Sequence, residues 1–336
     1  MPGKTLPILA GLTAIAVALA VTSARYGDVS DAIANRGTPL LPGFADASKS
    51  IAKLTVTGTD GTTTLVRDGD RMVDASGFPI KDALAQGLTT NLAVLRIEEK
   101  KTADADRYDD LNLADPDAEA GAGTRVTAST SEGRTVADVV LGAREVSVGG
   151  LRGGQYVRRF DDPQSYLVRG FVAVPPDRAG WFDTTLTDIK RDRIATVTAP
   201  DFKLARAADG LALETALPDG GQVDPNKINR VAGMVSPLTF IDVRKATGTE
   251  TADGPKITFT TNDGVELEVR TFKTTDDEEG AWATLTASAA GDAKEARALA
   301  ERITKTTAGF DFKIGTGDYN TLVLKPADFA KKEPKS

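Results

Sequence analysis

Residues 51–57 (IAKLTVT) alternate apolar and polar side chains, as a half-buried strand does, and residues 194–198 (IATVT) repeat that wording later in the chain. Two more short strands are predicted after each. They cover 64–67 and 72–73 in the first copy, 202–205 and 211–213 in the second, with Asp68-Gly69 and Asp209-Gly210 as turns. A helix follows in both. In the first, Pro79 opens a segment whose Ile80, Leu84, Leu88 and Leu92 recur every fourth position. In the second, Asp224 suits an N-cap, Pro225 the first turn, and Ile228, Val231 and Val235 form the apolar stripe. Each helix runs into a further strand, 95–98 and 240–243. The closest match comes next: 125–133 lies opposite 256–264, each a strand ending in an acidic-Gly turn, and partner strands follow at 135–141 and 265–272. The first copy continues with strands at 155–159 and 165–169. It is also longer, the excess falling in 103–123, rich in Asp, Ala and Gly.

The N-terminus has another pattern. Residues 6–21 (LPILAGLTAIAVALAV) carry no charge, with Lys4 before and Arg25 after. Its apolar positions include Leu6, Ile8, Leu9, Leu12, Ile15, Val17, Leu19 and Val21. A run of this length sits at the lower edge of what spans a bilayer. It predicts an uncleaved signal anchor, in competition with a signal peptide cut after Ala18-Leu19-Ala20 or Thr22-Ser23-Ala24, and with a buried core helix. Lys4 keeps the terminus inside under the positive-inside rule. The expectation is a single-pass bacterial inner-membrane protein with the bulk of the chain in the periplasm.

Together these patterns predict an α+β fold: an N-terminal transmembrane helix followed by two tandem, homologous antiparallel-sheet-plus-helix units. The predicted boundaries are a signal anchor at 1–25, a Pro/Gly-broken connector at 26–48, the first unit at 49–180, an apolar bridge at 181–192, and the second unit at 193–290. A C-terminal helix and strands, including one at 321–324, fill 291–330. The helix starts from a capping-box-like Asp292-Ala293-Lys294-Glu295, and 331–336 is a tail.

Composition narrows the chemistry. The 336 residues contain no cysteine and no histidine, which excludes disulfides, thiolate nucleophiles, Cys/His zinc sites and His-dependent relays. Carboxylate, Lys, Tyr and Ser/Lys chemistry remain. A net charge of −7 disfavours nucleic acid as a partner. The acidic run Asp104, Asp106, Asp109, Asp110, Asp115, Asp117 and Glu119 invites a calcium reading but lacks a specific ligand loop, so it is expected to be solvated. Asp276-Asp277-Glu278-Glu279 is expected at a charged hairpin tip. The glycines of 149–154 lack a Walker ending and predict a hairpin turn. The basic pairs Lys100-Lys101, Arg158-Arg159 and Lys190-Arg191 are scattered among acids and predict solvated faces. Trp181 and Phe182 are candidates for a partner contact, weighed against a core plug. No catalytic, cofactor-binding or metal-ligating residue is assigned.

Several stretches resemble a membrane-anchored domain-of-unknown-function family encoded beside gliding-motility (Gld)-type ABC transporters. They are the apolar N-terminus, Leu41-Pro42-Gly43-Phe44, Tyr108-Asp109-Asp110-Leu111-Asn112-Leu113-Ala114-Asp115-Pro116, Gly154-Gln155-Tyr156-Val157-Arg158-Arg159, Trp181-Phe182-Asp183, 194–198 and Ala308-Gly309-Phe310-Asp311-Phe312-Lys313-Ile314. Phe310 departs from the family's usual Trp. The resemblance implies a non-enzymatic, periplasm-facing auxiliary component whose partners are an ABC transporter permease and a Gld-type auxiliary subunit, with no cofactor. The alternatives are a secreted or envelope module that binds a ligand in the cleft between two similar lobes, and an aspartate-dependent hydrolase.

Overall fold

The structure, a computed structural model, describes residues 35–118, 122–148, 153–218, 220–246, 248, 254–272 and 280–331. The chain divides into two units: 1–75 with 79–181, and 76–78 with 182–336.

The first unit is built on eight strands: β1 (Ile51–Gly58), β2 (Gly61–Asp68), β3 (Arg71–Asp74), β4 (Arg96–Lys100), β5 (Thr124–Thr130), β6 (Thr135–Glu145), β7 (Gly154–Arg159) and β8 (Ser165–Arg169). They form one antiparallel sheet in the order β3-β2-β1-β5-β6-β7-β8-β4. Alternation sorts its two faces. Leu54, Leu65 and Ala128 sit side by side across three strands on the buried face, while their neighbours Thr55, Thr64 and Thr127 share the more open one. A short helix α1 (Phe44–Ala47) precedes the sheet. The main helix, α2 (Asp82–Val94), buries Ala85, Leu88 and Leu92 along one side.

The second unit opens with β9 (Thr185–Thr187), followed by β10 (Ile194–Thr198), β11 (Lys203–Ala207), β12 (Gly210–Leu213), α3 (Pro225–Gly233), β13 (Leu238–Thr239), β14 (Asp242–Lys245), β15 (Lys256–Thr261), β16 (Val265–Phe272), β17 (Ala281–Ala289), α4 (Lys294–Thr307), β18 (Phe310–Ile314) and α5 (Thr316–Leu322). Its eight-stranded antiparallel sheet runs β12-β11-β10-β15-β16-β17-β18-β14, the same order as the first when strands are matched along the chain, and β9 and β13 form a small separate pair. The hub of its core is Phe78. Its ring lies edge-on to Phe182, Phe240, Phe310 and Phe312, with centroids 5.1–5.6 Å away, inside the preferred range for aromatic pairs.

The two sheets share irregularities as well as order. In each, the first strand bulges two residues in, at Ile51/Lys53 opposite β5 and at Ile194/Thr196 opposite β15. In each, an arginine from the next strand donates to the carbonyl at that bulge: Arg67 Nε to Ile51 O at 2.7 Å, and Arg206 Nη2 to Ile194 O. The turns at Gly133 (φ 79°) and Gly264 (φ 89°) close with their amides on Thr130 O and Thr261 O, a left-handed geometry that favours glycine. The segment ahead of each first strand also pairs with the stretch after the main helix, through Leu40 N to Leu95 O and Ile189 N to Val235 O. The differences between the units include an insert between β4 and β5 in the first, and α4 between β17 and β18 in the second.

Several expectations are corrected. The expected α+β fold is corrected: among the described residues the protein is mostly β-sheet, with few helices against two antiparallel sheets of eight strands each. Among the described residues no helix is long and apolar enough to cross a membrane, so single-pass inner-membrane anchoring is not supported. The proposed anchor, Leu6 to Val21, lies outside the described residues. The strand expected at 321–324 is the end of α5, where Thr321 donates its hydroxyl to Gly317 O and buries with Leu322 as one side of a helix. Asp292 does not cap α4; it pairs with Arg297. The nine-residue β17 had no counterpart in the sequence reading.

Candidate functional site

In the first unit the insert after β4 is packed onto the sheet. Two 3-10 turns, Ala105–Arg107 and Asp109–Leu111, fold it back, and Asn112 adopts a left-handed φ of 54° to end the second. This geometry turns Tyr108 and Leu113 down onto Val140 of β6, where the three form a small core edged by Leu111, Tyr156 and Phe160. Tyr108 donates its hydroxyl to Pro163 O at 2.6 Å. Burial pushes its phenol pKa up, against the pull of the Arg158 charge.

Arg158 on β7 fastens the insert. Its guanidinium is 5% exposed and donates from Nε to Leu113 O at 3.1 Å and from Nη1 to Phe160 O at 3.0 Å; it pairs with Asp115 and lies 4.8 Å from the Tyr108 ring centre. Glycine permits the close approach. A Cβ on Gly142 would meet Leu111 O and stand 2.8 Å from Leu113 Cδ2, and one on Gly123 would meet Ala114 O. Beside this lock, Arg125 covers the Phe160 ring and forms a two-pronged pair with Asp138 at 2.8 and 2.7 Å. The Asp138 hydrogen bond holds the Arg125 pKa up, over the opposing effect of burial.

This ion pair recurs in the second unit. Asp138 faces Thr127 across β5 and β6, and Glu268 faces Thr258 at the matching place across β15 and β16. Lys256, two residues before Thr258 as Arg125 is before Thr127, binds Glu268 at 2.7 Å, with Arg270 on its other side at 3.1 Å. Burial alone would raise the Glu268 pKa; the hydrogen bonds and charges of Lys256 and Arg270 outweigh it and hold it low. Threonines 55, 64 and 127 in one sheet and 196, 258 and 260 in the other line the same half-exposed face around the pair.

Other charges serve the framework. Asp74 is 1% exposed and takes both prongs of Arg178, with Nε at 3.0 Å. Asp311 is equally buried beside Arg244, whose guanidinium lies 4.2 Å from the Trp282 ring centre. Glu98 sits between Arg36 and Arg169. Burial works against its ionisation, but the Arg36 hydrogen bond and both charges prevail and its pKa is lowered. At the Gly264 turn the Thr261 hydroxyl first, and Arg193 after it, lower the pKa of Asp263 despite partial burial.

Of the sequence candidates, Trp181 and Phe182 are 1% and 0% exposed. Both are interior side chains, Phe182 in the Phe78 cluster, and neither presents a surface to a partner. The acidic run is dispersed. Asp104 caps the turn at Asp106 N, Asp115 binds Arg158, Asp110 lies beside Arg107, and Glu119 is outside the described residues. Among the described residues no group of three acidic side chains is placed to hold a metal. Glycines 149 and 150 and residues 276–279 also lie outside them. The pair Arg158-Arg159 is not a solvated face. Arg158 enters the insert, and Arg159 on the opposite face donates to Leu40 O at 2.7 Å. The insert's core and the repeated ion pair were missed from sequence.

A family described as a domain of unknown function (DUF4340) matches residues 71–257, more than half of the chain. The chain belongs to the DUF4340 family. No curated protein and no solved structure shows a significant match. The DUF4340 span runs from the first residue of β3 into β15 and so crosses from one sheet to the other. It contains Phe78, the whole insert, Arg158 and the Asp74–Arg178 pair.

Proposed function

We propose that this DUF4340 protein is a non-enzymatic auxiliary component of a gliding-motility-type ABC transporter, acting through contacts with the ABC permease and a Gld-type auxiliary subunit. The transporter partners come from the resemblance of the sequence. The observation that supports a contact role is a feature kept in both copies: an ion pair at matching register, with Thr127 facing Asp138 and Thr258 facing Glu268, on two broad antiparallel sheets. A face with its charges already paired offers a partner hydroxyls and strand side chains at little desolvation cost. The buried ionic groups, Asp74 with Arg178 and Arg158 with Asp115, are committed to holding the fold.

The test is co-purification of the tagged full-length chain, expressed with the permease and auxiliary subunit, in mild detergent. Both partners are expected to be retained. Replacing Thr55, Thr127, Thr196 and Thr258 by Lys should release them while leaving the melting temperature within a few degrees. Recovery of the chain alone would overturn the proposal.

A further inference from the structure

In the first unit a cavity of about 140 Å³ lies between α2 and the β2–β3 hairpin. Its floor is apolar, made by Ile51, Leu54 and Met72; its wall carries Arg67, Arg71, Asp70 and Asp82. None of these four charges is within ion-pair distance of another, and Arg71, Asp70 and Asp82 have no side-chain partner among the described residues. The hydroxyls on the same wall are already engaged, Ser48 with Ala45 O and Thr89 with Ala85 O.

The duplication provides an internal comparison. Arg206, the counterpart of Arg67, places Nη2 on both Asp192 O and Ile194 O and is used up in holding its bulge. Arg67 holds its own bulge through Nε, and among the described residues neither Nη group has a protein acceptor. Two guanidinium groups select a carboxylate, two carboxylates select an ammonium, and the apolar floor takes a small aliphatic group. An engineered cavity of about 150 Å³ takes up benzene, so this one suits a ligand of about six heavy atoms.

We propose that this cavity binds a small zwitterion of the α-amino-acid class, its carboxylate on Arg67 and Arg71, its ammonium on Asp82 and Asp70, and its side chain over Ile51, Leu54 and Met72. The site is independent of any permease contact.

Titration calorimetry of the full-length protein with L-alanine, up to about 10 mM to reach weak affinities, tests this, with propionate and ethylamine as probes lacking one charge. L-Alanine should bind with one site per chain and each one-charge probe at least tenfold more weakly. Arg71→Gln and Asp82→Asn, both at exposed side chains, should each weaken L-alanine binding tenfold or more without shifting the melting temperature. Arg206→Gln should leave binding unchanged. No heat with L-alanine, propionate binding as tightly as L-alanine, or an unaffected Arg71→Gln variant would each overturn the assignment.

Discussion

Replacing Arg158 by Met keeps an unbranched apolar side chain on β7 while removing the hydrogen bond to Leu113 O, the pair with Asp115 and the contact with the Tyr108 ring. The hydrogen bond to Leu113 O has a charged donor and is worth about 1.5–3 kcal/mol; the one to Phe160 O stays within the end of β7 and does not bear on the insert. The Asp115 partner is nearly half exposed, so that pair adds about 0–1 kcal/mol. Stacking near Tyr108 adds about 0.5–1 kcal/mol. Together these give a loss of about 3 kcal/mol, or on the order of a hundredfold in the opening of the insert. Hydrogen exchange reads this directly. The amides of Leu111, Asn112 and Leu113 are bonded inside the insert, to Tyr108 O and Asp109 O. Their protection should fall by about that factor, while the amides of β1 and β5 keep theirs. Unchanged protection at these three positions in Arg158→Met would refute the view that Arg158 holds the insert.

Gly142→Ala should open the same insert from the other side, because its Cβ meets Leu111 O and Leu113; insert amides should lose protection although no polar group has changed. Arg178→Ala leaves Asp74 buried without its two-pronged partner and should cost about 3–5 kcal/mol in denaturant unfolding. The two matched turns should respond unequally. Gly133→Ala has open space and bears only the left-handed backbone cost of about 1–2 kcal/mol, whereas Gly264→Ala also meets Ala290 O at 2.6 Å and should be the more destabilised in the same assay. Glu98, Asp263 and Glu268 all have lowered pKa values, so their contribution is fully present above the ordinary carboxylate range and is lost as pH falls through the lower folded values. Melting temperature should drop over that interval, and Glu268→Gln, less stable at neutral pH, should drop less steeply.

The repeated strands were legible because β1 and β10, β5 and β15, and β16 alternate strongly between β-branched or aromatic residues and polar ones. β17 alternates too, but of its inward positions 281, 283, 285 and 287 only Leu285 is large; the alanines contrast weakly with Thr284, Thr286 and Ser288, and Trp282 interrupts the polar side. The small side chains suit the close packing of α4, whose Thr304 and Thr307 donate to Ala287 O and Leu285 O. The end of α5 was misread because four residues cannot distinguish period 2 from period 3.6. The insert looked solvated from its aspartates, yet Tyr108 and Leu113 were the signal of burial. Arg158 and Arg159 could have been separated from sequence, since consecutive strand residues point to opposite faces. The matched ion pairs were not legible, because Arg125 and Asp138, or Lys256 and Glu268, meet only once strand register is fixed.

The position of Phe78 bears on dissecting the chain. A fragment cut to start at Phe182 would carry all eight strands of the second sheet and still lack the ring on which Phe182, Phe240, Phe310 and Phe312 converge. Such a truncation leaves a hollow where an aromatic residue belongs, so the back half is not an autonomous folding piece in the simple sense of chain order. Supplying a short peptide around Ser76–Phe78 in trans, or grafting it ahead of residue 182, is the natural remedy. It also means that inheritance of one half in evolution requires bringing along three residues from the other.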